Sequence, residues 1–353
     1  MLDYLVVGLG LAGISFCEQL EKHGKTFHVI SDDSQTSSSV AGGLYNPVIL
    51  KRFTLAWKAN EQLLLAKPFY RKLEEKLGIT LDYELSIVRR FNSIEEQNLW
   101  FEATDKPFLG EFLSTEVSAN TNQNIDAPHG FGTVLKTGRI DTAKLLSKYS
   151  EYLKERKKLT CERFDHNKLR IANKSISYRS IEAKDIVFAE GFGLKKNPYF
   201  NYLPLNGNKG EYVIIEAPEL SFEKAIKSSI FCIPLGKNRY KIGANYNRNS
   251  TSNEPSETTR EELLRKMEKF IKCGYKVIDQ VAGVRPTVVD RRPLVGRHPQ
   301  NDNMFVLNGF GSRGVLIAPY ASSKLYRFIE EQKPLNLEID IVRFAKKYFK
   351  NQL

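Results

Sequence analysis

The stretch Leu5-Val6-Val7-Gly8-Leu9-Gly10-Leu11-Ala12-Gly13 decides how this chain is read. Leu5, Val6 and Val7 form the short apolar run of a buried parallel strand. Gly8, Gly10 and Gly13 then give G-x-G-x-x-G, and Ile14 to Lys22 follows with an apolar face at helical spacing. Each glycine has its own task. Gly8 permits the tight turn, Gly10 lets a pyrophosphate approach the backbone, and Gly13 lets the helix pack against the strand. The N-terminus of that helix offers free N–H groups and the positive end of its dipole to phosphates. A strand before the glycines and a helix after them are the context that a dinucleotide fingerprint requires. A glycine-rich turn of some other α/β protein accounts less well for both flanks.

Working outward, Thr26 to Ile30 reads as a second strand, ending in Ser31-Asp32-Asp33. Dinucleotide folds place a carboxylate there for the adenosine ribose. Asp32 is the first choice and Asp33 its substitute; the other reading is that both cap the next turn. Ala41-Gly42-Gly43-Leu44-Tyr45-Asn46-Pro47 reads as a tight turn whose small residues suit a backbone pressed against a planar ligand. Helical spacing runs from Leu55 to Leu77 with Trp57, Leu63, Leu64, Phe69, Leu73 and Leu77 on one face, closed by Gly78. Glu84 to Phe91 reads as a strand, Ile94 to Ala103 as a short helix, and Asp141 as the N-cap of another helix. The strand DIVFAEGFG reaches Gly191 and Gly193, a second place where backbone can approach a nucleotide. Gly210–Glu216, Ser229–Pro234 and Tyr240–Ala244 read as antiparallel strands, the last two joined through Lys237-Asn238. Thr258 to Ile271 reads as a helix, Met304 to Gly309 as a strand, and a final helix starts near Ile317 after the turn Phe310-Gly311-Ser312-Arg313-Gly314.

The chain has 353 residues, 41% hydrophobic and 27% charged, which suits one large or two intimate domains. No apolar run is long enough to span a bilayer. The first strand opens the chain, so the reading expects no leader and a cytoplasmic location. Cys17, Cys161, Cys232 and Cys273 are scattered without a C-x-x-C pair, so neither zinc nor a redox dithiol is expected, and free, mostly buried thiols are. No metal site is expected. The net charge of +12 permits a polyanionic partner such as RNA without requiring one, since the lysines and arginines are spread along the chain.

Gly283-Val284-Arg285-Pro286, Asp290, Pro293-Leu294-Val295-Gly296, Gly309 to Gly314 and Ala318-Pro319 resemble the C-terminal half of the FAD-dependent D-amino-acid oxidase and glycine oxidase superfamily. The resemblance covers essentially the whole chain in order. Within that superfamily, Gly42 to Tyr45 with Pro47, Ile242 to Arg248, Gly283 to Arg285 and Gly311 to Gly314 resemble most the FAD-dependent oxidase domain of the bifunctional enzymes that make 5-methylaminomethyl-2-thiouridine in tRNA. That domain also lacks a plain glutamate after its second strand. Two departures stand out: the methyltransferase domain of those enzymes and the long polar linker after it are absent here.

The resemblance implies an α/β fold with α+β insertions, in which a Rossmann-type FAD-binding domain (1–82, 137–202 and 283–353) interleaves with an antiparallel-sheet substrate domain (83–136 and 203–282). It implies noncovalent FAD and oxidation of the C–N bond of an amino acid or N-substituted glycine. A hydride passes from the carbon beside the amine to N5 of the flavin, and the imine hydrolyses. By the family motif Arg285 anchors the substrate carboxylate through two parallel hydrogen bonds; the other reading is a structural ion pair with Asp290. Arg313 is a second candidate for the carboxylate, or else contacts the flavin or its loop. Tyr246 closes the pocket or belongs to the core. The cofactor set is Gly8, Gly10, Leu11, Ala12, Gly13, Asp32, Asp33, Ala41, Gly42, Gly43, Leu44, Gly191, Gly311, Ser312, Arg313, Gly314 and Val315. The substrate is either a free small amino acid (glycine, sarcosine or a D-amino acid) or the carboxymethylaminomethyl group of a tRNA wobble uridine. A flavin-bound RNA-binding module without turnover is the alternative of a different class. A nicotinamide-dependent dehydrogenase is disfavoured, because no acid–base residue pairs with the N-terminal motif. The five histidines are scattered and His28, in a strand, reads as structural.

Overall fold

The computed structural model describes residues 1–172 and 174–348. Leu2–Val7 is apolar on both faces because both faces are covered. Tyr4 and Val6 join one buried cluster, Leu5 and Val7 another. This strand lies between Phe27–Ser31 and Ile181–Phe188, parallel to both. Leu159–Cys161 extends the sheet on one side, and the hairpin Ser175–Tyr178 with Leu169–Ala172 extends it on the other. Past that hairpin the end of Ile181–Phe188 takes Asn301–Asn308 as a parallel neighbour, itself paired with Leu294–His298.

Helices Leu11–Lys22, Ala59–Leu77, Thr142–Glu155 and Gly314–Glu330 pack over one face of this sheet. Two polar knots tie them. Tyr4 Oη and Lys25 Nζ both donate to the Glu330 carboxylate at 2.5 Å, joining the first strand to the last of these helices. Lys76 Nζ donates to Glu18 at 2.6 Å and to Glu21 at 2.9 Å, while Tyr149 and Tyr152 donate to the same two carboxylates at 2.8 Å. Burial opposes the charge on Glu21, but the hydrogen bonds from Lys76, Tyr152 and Lys158 outweigh it and hold the carboxyl below its usual range. Lys76→Met leaves two half-buried carboxylates short of their cation. It is expected to lower stability by about 2 kcal/mol, read as a lower urea midpoint at unchanged slope. A depressed folded pKa stabilises above the unfolded carboxylate range and is lost as pH falls through the folded value, so the gap between wild type and variant should close below about pH 4.

The second sheet runs Lys276–Val288, Leu205–Glu216, Arg239–Gly243, Phe231–Gly236, Ala225–Lys227, Ile87–Arg90, Phe131–Val134 and Leu113–Ser118. It is antiparallel except where Ala225–Lys227 meets Ile87–Arg90. Helix Glu257–Glu268 covers one face, packing Leu263 and Met267 with Val213, Ile215 and Ile242. The opposite face carries Tyr212, Gly243, Phe231 and Lys227, which lie side by side in register. The fold is thus the expected mixed α/β architecture, with antiparallel strands inserted between the parts of a dinucleotide-type sheet.

Several element boundaries differ from the sequence expectation. The helix expected from Leu55 begins at Ala59, since Thr54–Leu55 pairs with Val48–Ile49 and Lys58 takes a left-handed conformation at φ 49°. Trp57 therefore lies outside the helix, with its indole N–H on Glu338 at 3.2 Å. Glu84 to Phe91 splits into Asp82–Glu84 and Ile87–Arg90, and the helix expected to reach Ile271 ends at Glu268. The last long helix starts at Gly314, where a Cβ would lie 3.1 Å from Leu11 Cδ1. Among the cysteines Cys17 and Cys232 are buried, Cys273 is half-buried and Cys161 is exposed; all are free.

Candidate functional site

A single cavity of about 2860 Å³ runs from the fingerprint past the Ala41–Leu44 turn to the second sheet. It is well above the ~300–1,000 Å³ of an ordinary small-molecule pocket. Every residue expected at the site lines it, with one exception: Gly13 is buried beneath.

At the fingerprint end the backbone is arranged by absence of side chains. Gly8 has φ 99°, and a Cβ there would lie 2.5 Å from Ala189 O. A Cβ on Gly13 would lie 2.0 Å from Gly8 O, so this glycine sets the helix against the turn and does not face the cavity. Gly10 caps the helix without a side-chain hydrogen bond. Ser31 Oγ accepts the Leu9 N–H at 3.1 Å, and Ser38 Oγ accepts that of Leu11 at 3.3 Å. Asp32 Oδ1 accepts from the Ser34 hydroxyl at 2.7 Å, which is the turn-capping role; Asp33 is exposed beside it. His28 is structural, with Nε2 2.8 Å from Thr160 Oγ1.

The Ala41–Leu44 turn is held from two sides. Gly43 (φ 72°) passes so near Ile140 O that a Cβ would sit 2.0 Å away. Lys241 Nζ, rooted in the second sheet, donates to Val40 O at 3.2 Å and Ala41 O at 3.1 Å. Burial, aided by nearby Arg139, pulls that ammonium down to about 8.

At the far end Gly311 N–H donates to Pro286 O at 2.9 Å, holding the 309–314 turn against the Lys276–Val288 strand. Arg313 caps the following helix and donates to Asn46 O at 2.8 Å. Burial pulls its guanidinium below the usual arginine value. Val315 is buried with its carbonyl on Tyr70 Oη at 2.8 Å, while Ser312 is exposed. Arg285 donates to Asn245 O at 3.2 Å and stacks 4.8 Å from the centre of the Tyr246 ring. The expected alternative, an ion pair with Asp290, does not form: that carboxylate holds Arg343 at 2.9 Å. Among the described residues neither Arg285 nor Arg313 has a carboxylate partner. Tyr246 lies beyond its strand and is 68% exposed, which excludes the core reading.

Sequence reasoning missed Gln35, whose Oε1 accepts the Gly193 N–H at 3.1 Å, and Glu190, held between His166 and Asn197 at the cavity wall. It also missed Gly210, over which the Arg285 guanidinium lies. Only the register of two neighbouring strands reveals that contact. Among the described residues no cluster of three or more His, Cys, Asp or Glu could hold a metal, and no helix is long and apolar enough to cross a membrane.

A family model described as FAD dependent oxidoreductase matches residues 3–325. The chain belongs to this family. This FAD dependent oxidoreductase is 22% identical to the tRNA 5-methylaminomethyl-2-thiouridine biosynthesis bifunctional protein of Legionella pneumophila, over 97% of its own length and 57% of that protein's. It therefore spans just over half of that relative. It is 30% identical to the glycine oxidase of Bacillus licheniformis over 31% of each chain. Among solved structures, glycine oxidase from Geobacillus kaustophilus superposes with a TM-score of 0.79 at 18% identity, covering 97% of both chains. Iminodiacetate oxidase from Chelativorans superposes at 0.78 and 17%, covering 95% of this chain and 98% of the other. These two show the shared fold. The cavity fits the family's cofactor: two helix N-termini without side-chain caps open into it, and Gly10 and Gly311 bare the backbone at either end.

Proposed function

We propose that the protein oxidises the C–N bond of an N-substituted glycine, and that the glycine is carried on a polyanion, the carboxymethylaminomethyl group of a tRNA wobble uridine. The observation that carries this reading is Arg285: a guanidinium in the cavity wall, stacked on an exposed tyrosine, with no carboxylate of its own. Such a fork is the natural partner of a substrate carboxylate. In this reading Arg313 adds a second positive charge, and Tyr246 closes over the bound glycine unit. Two uncompensated guanidiniums also disfavour the protonated amine, keeping the substrate nitrogen as the free base from which a hydride can leave. Bound FAD supplies the two-electron acceptor. Gly8, Gly10, Leu11 and Ala12 would hold its pyrophosphate, Asp32 or Asp33 its ribose, and Ala41 to Leu44, Gly191 and Gly311 to Val315 its remaining length, without a covalent bond. Sheet membership supports the division into 1–82, 137–202 and 283–353 for the cofactor and 83–136 and 203–282 for the substrate, except that Lys276–Val288 carries the substrate sheet on to Val288. The tRNA-bearing substrate is favoured by exposed Lys51, Arg248 and Arg291 on the cavity lining and by the bifunctional relatives.

The test is anaerobic bleaching of the flavin by glycine, sarcosine, D-alanine, D-proline or tRNA carrying the carboxymethylaminomethyl group. Bleaching by the modified tRNA alone is the expected result. Bleaching by a free amino acid alone would make this a small-amine oxidase, and no bleaching by any of them would favour a non-catalytic flavoprotein.

A further inference from the structure

Lys227 lies in the wall of the same cavity and has no part in the chemistry above. It stands on the same sheet face as Tyr212 and Phe231, on a strand four places from that of Arg285. The register puts Lys227 in line with Val281, so four strands at ~4.8 Å and the offset from Val281 to Arg285 at ~3.3 Å per residue set the two backbones roughly 23 Å apart. Lys227 Nζ donates to Ser229 O at 2.9 Å and lies 5.0 Å over the Phe231 ring. Among the described residues it has no carboxylate within ion-pair reach. The charges that act on it are those of Arg89, paired with it on the neighbouring strand, and, from further off, Lys266. Arg89 is held by Glu96 and Lys266 by Glu262, so neither carboxylate is left for Lys227. Burial, then Arg89 and Lys266, pull its ammonium down to about 8. A half-buried cation among like charges lacks the anion that would complete it.

We propose that Lys227, beside Ser229, is a second anion subsite, taking an oxyanion of the same substrate whose carboxylate sits on Arg285. Tyr212 and Phe231 line the cavity between the two cations, with Lys241 Nζ 5.3 Å over the first ring and Lys227 Nζ over the second. The span favours a nucleotide phosphate over the second carboxylate of a small dicarboxylate. This rests on Arg285 as the first anchor.

The experiment uses the FAD-loaded protein and measures dissociation constants by calorimetry for uridine monophosphate, uridine, iminodiacetate and acetate. Uridine monophosphate is expected to bind at least ~10-fold tighter than uridine, a difference that falls as pH rises through about 8 and the ammonium loses its proton. Lys227→Met should remove the difference, and Lys227→Arg should keep it, which separates charge from folding. Equal binding of the two uridines, or a difference that survives Lys227→Met, overturns the proposal. Loss of iminodiacetate affinity in Lys227→Met without any effect on uridine monophosphate likewise overturns the proposal, since a small dicarboxylate cannot span the two cations. Failure of the Arg285 anchor shows separately, as acetate affinity that survives Arg285→Ala.

Discussion

Arg285→Ala is expected to lower kcat/KM for the amine substrate by about 1,000-fold, the ~4 kcal/mol of a bidentate charged pair removed from a half-buried site. Flavin content and melting temperature should hardly change, because among the described residues Arg285 forms no ion pair and its guanidinium donates to Asn245 O and approaches the Tyr212 hydroxyl. Arg285→Lys keeps the charge and loses the fork, so an intermediate loss is expected. The same geometry makes a sharper test. The nearest atoms to a Cβ built on Gly210 are all from the Arg285 guanidinium, at 1.8, 2.1 and 2.3 Å. Gly210 lies outside the left-handed region, so alanine suits the backbone and clashes only with the arginine head. Gly210→Ala is expected to raise KM for a carboxylate substrate by about 100-fold. In an Arg285→Ala background it should add nothing, as befits a residue that acts through another. Additive losses would show that Gly210 matters for some reason other than seating Arg285.

Gly13→Ala is expected to yield protein without flavin and with stability reduced by about 3 kcal/mol, since the added carbon meets a backbone oxygen that has nowhere to go. Gly10→Ala is the control. Its Cβ would face only Ser38 Oγ, at 3.1 Å, and a serine side chain can turn away. That variant should keep the urea midpoint of the flavin-free protein but bind FAD at least ~10-fold more weakly, because the methyl lies where the backbone is open to the cavity. If both variants lose the fold equally, or if Gly13→Ala retains flavin, the separate tasks given to these glycines are wrong.

The contrast marks how much of the molecule was legible beforehand. The fingerprint could be read because its constraints are local: strand, turn and helix lie within a few residues, and each glycine answers to a neighbour. Asp141 as a helix cap and Lys237-Asn238 as a hairpin turn were legible for the same reason; the Asp141 carboxylate accepts the Lys144 N–H, and both turn residues have positive φ. Boundaries failed where a distant contact intervened. Gly314 looks like part of a turn in sequence, and opens a helix beside Leu11. Asp290 looks like a partner for Arg285 at a separation of five, and is instead taken by Arg343 from the far end of the chain. Arg285 itself could be picked out, through a family motif. The glycine beneath it and the unpaired Lys227 could not, since both depend on which strands lie side by side.

The pairing of Leu2–Val7 carries a consequence for how the protein is made. Its inner neighbour is Ile181–Phe188, and that strand's own parallel neighbour is Asn301–Asn308. A ribosome therefore releases the phosphate-binding turn with Phe27–Ser31 as its one early sheet partner, long before Ile181–Phe188 emerges. The helix that completes the flavin end comes later still, at Gly314. Contacts this far apart in sequence fold slowly. The nascent chain should stay protease-sensitive and unable to hold FAD until Gly314–Glu330 has emerged, then gain both properties together.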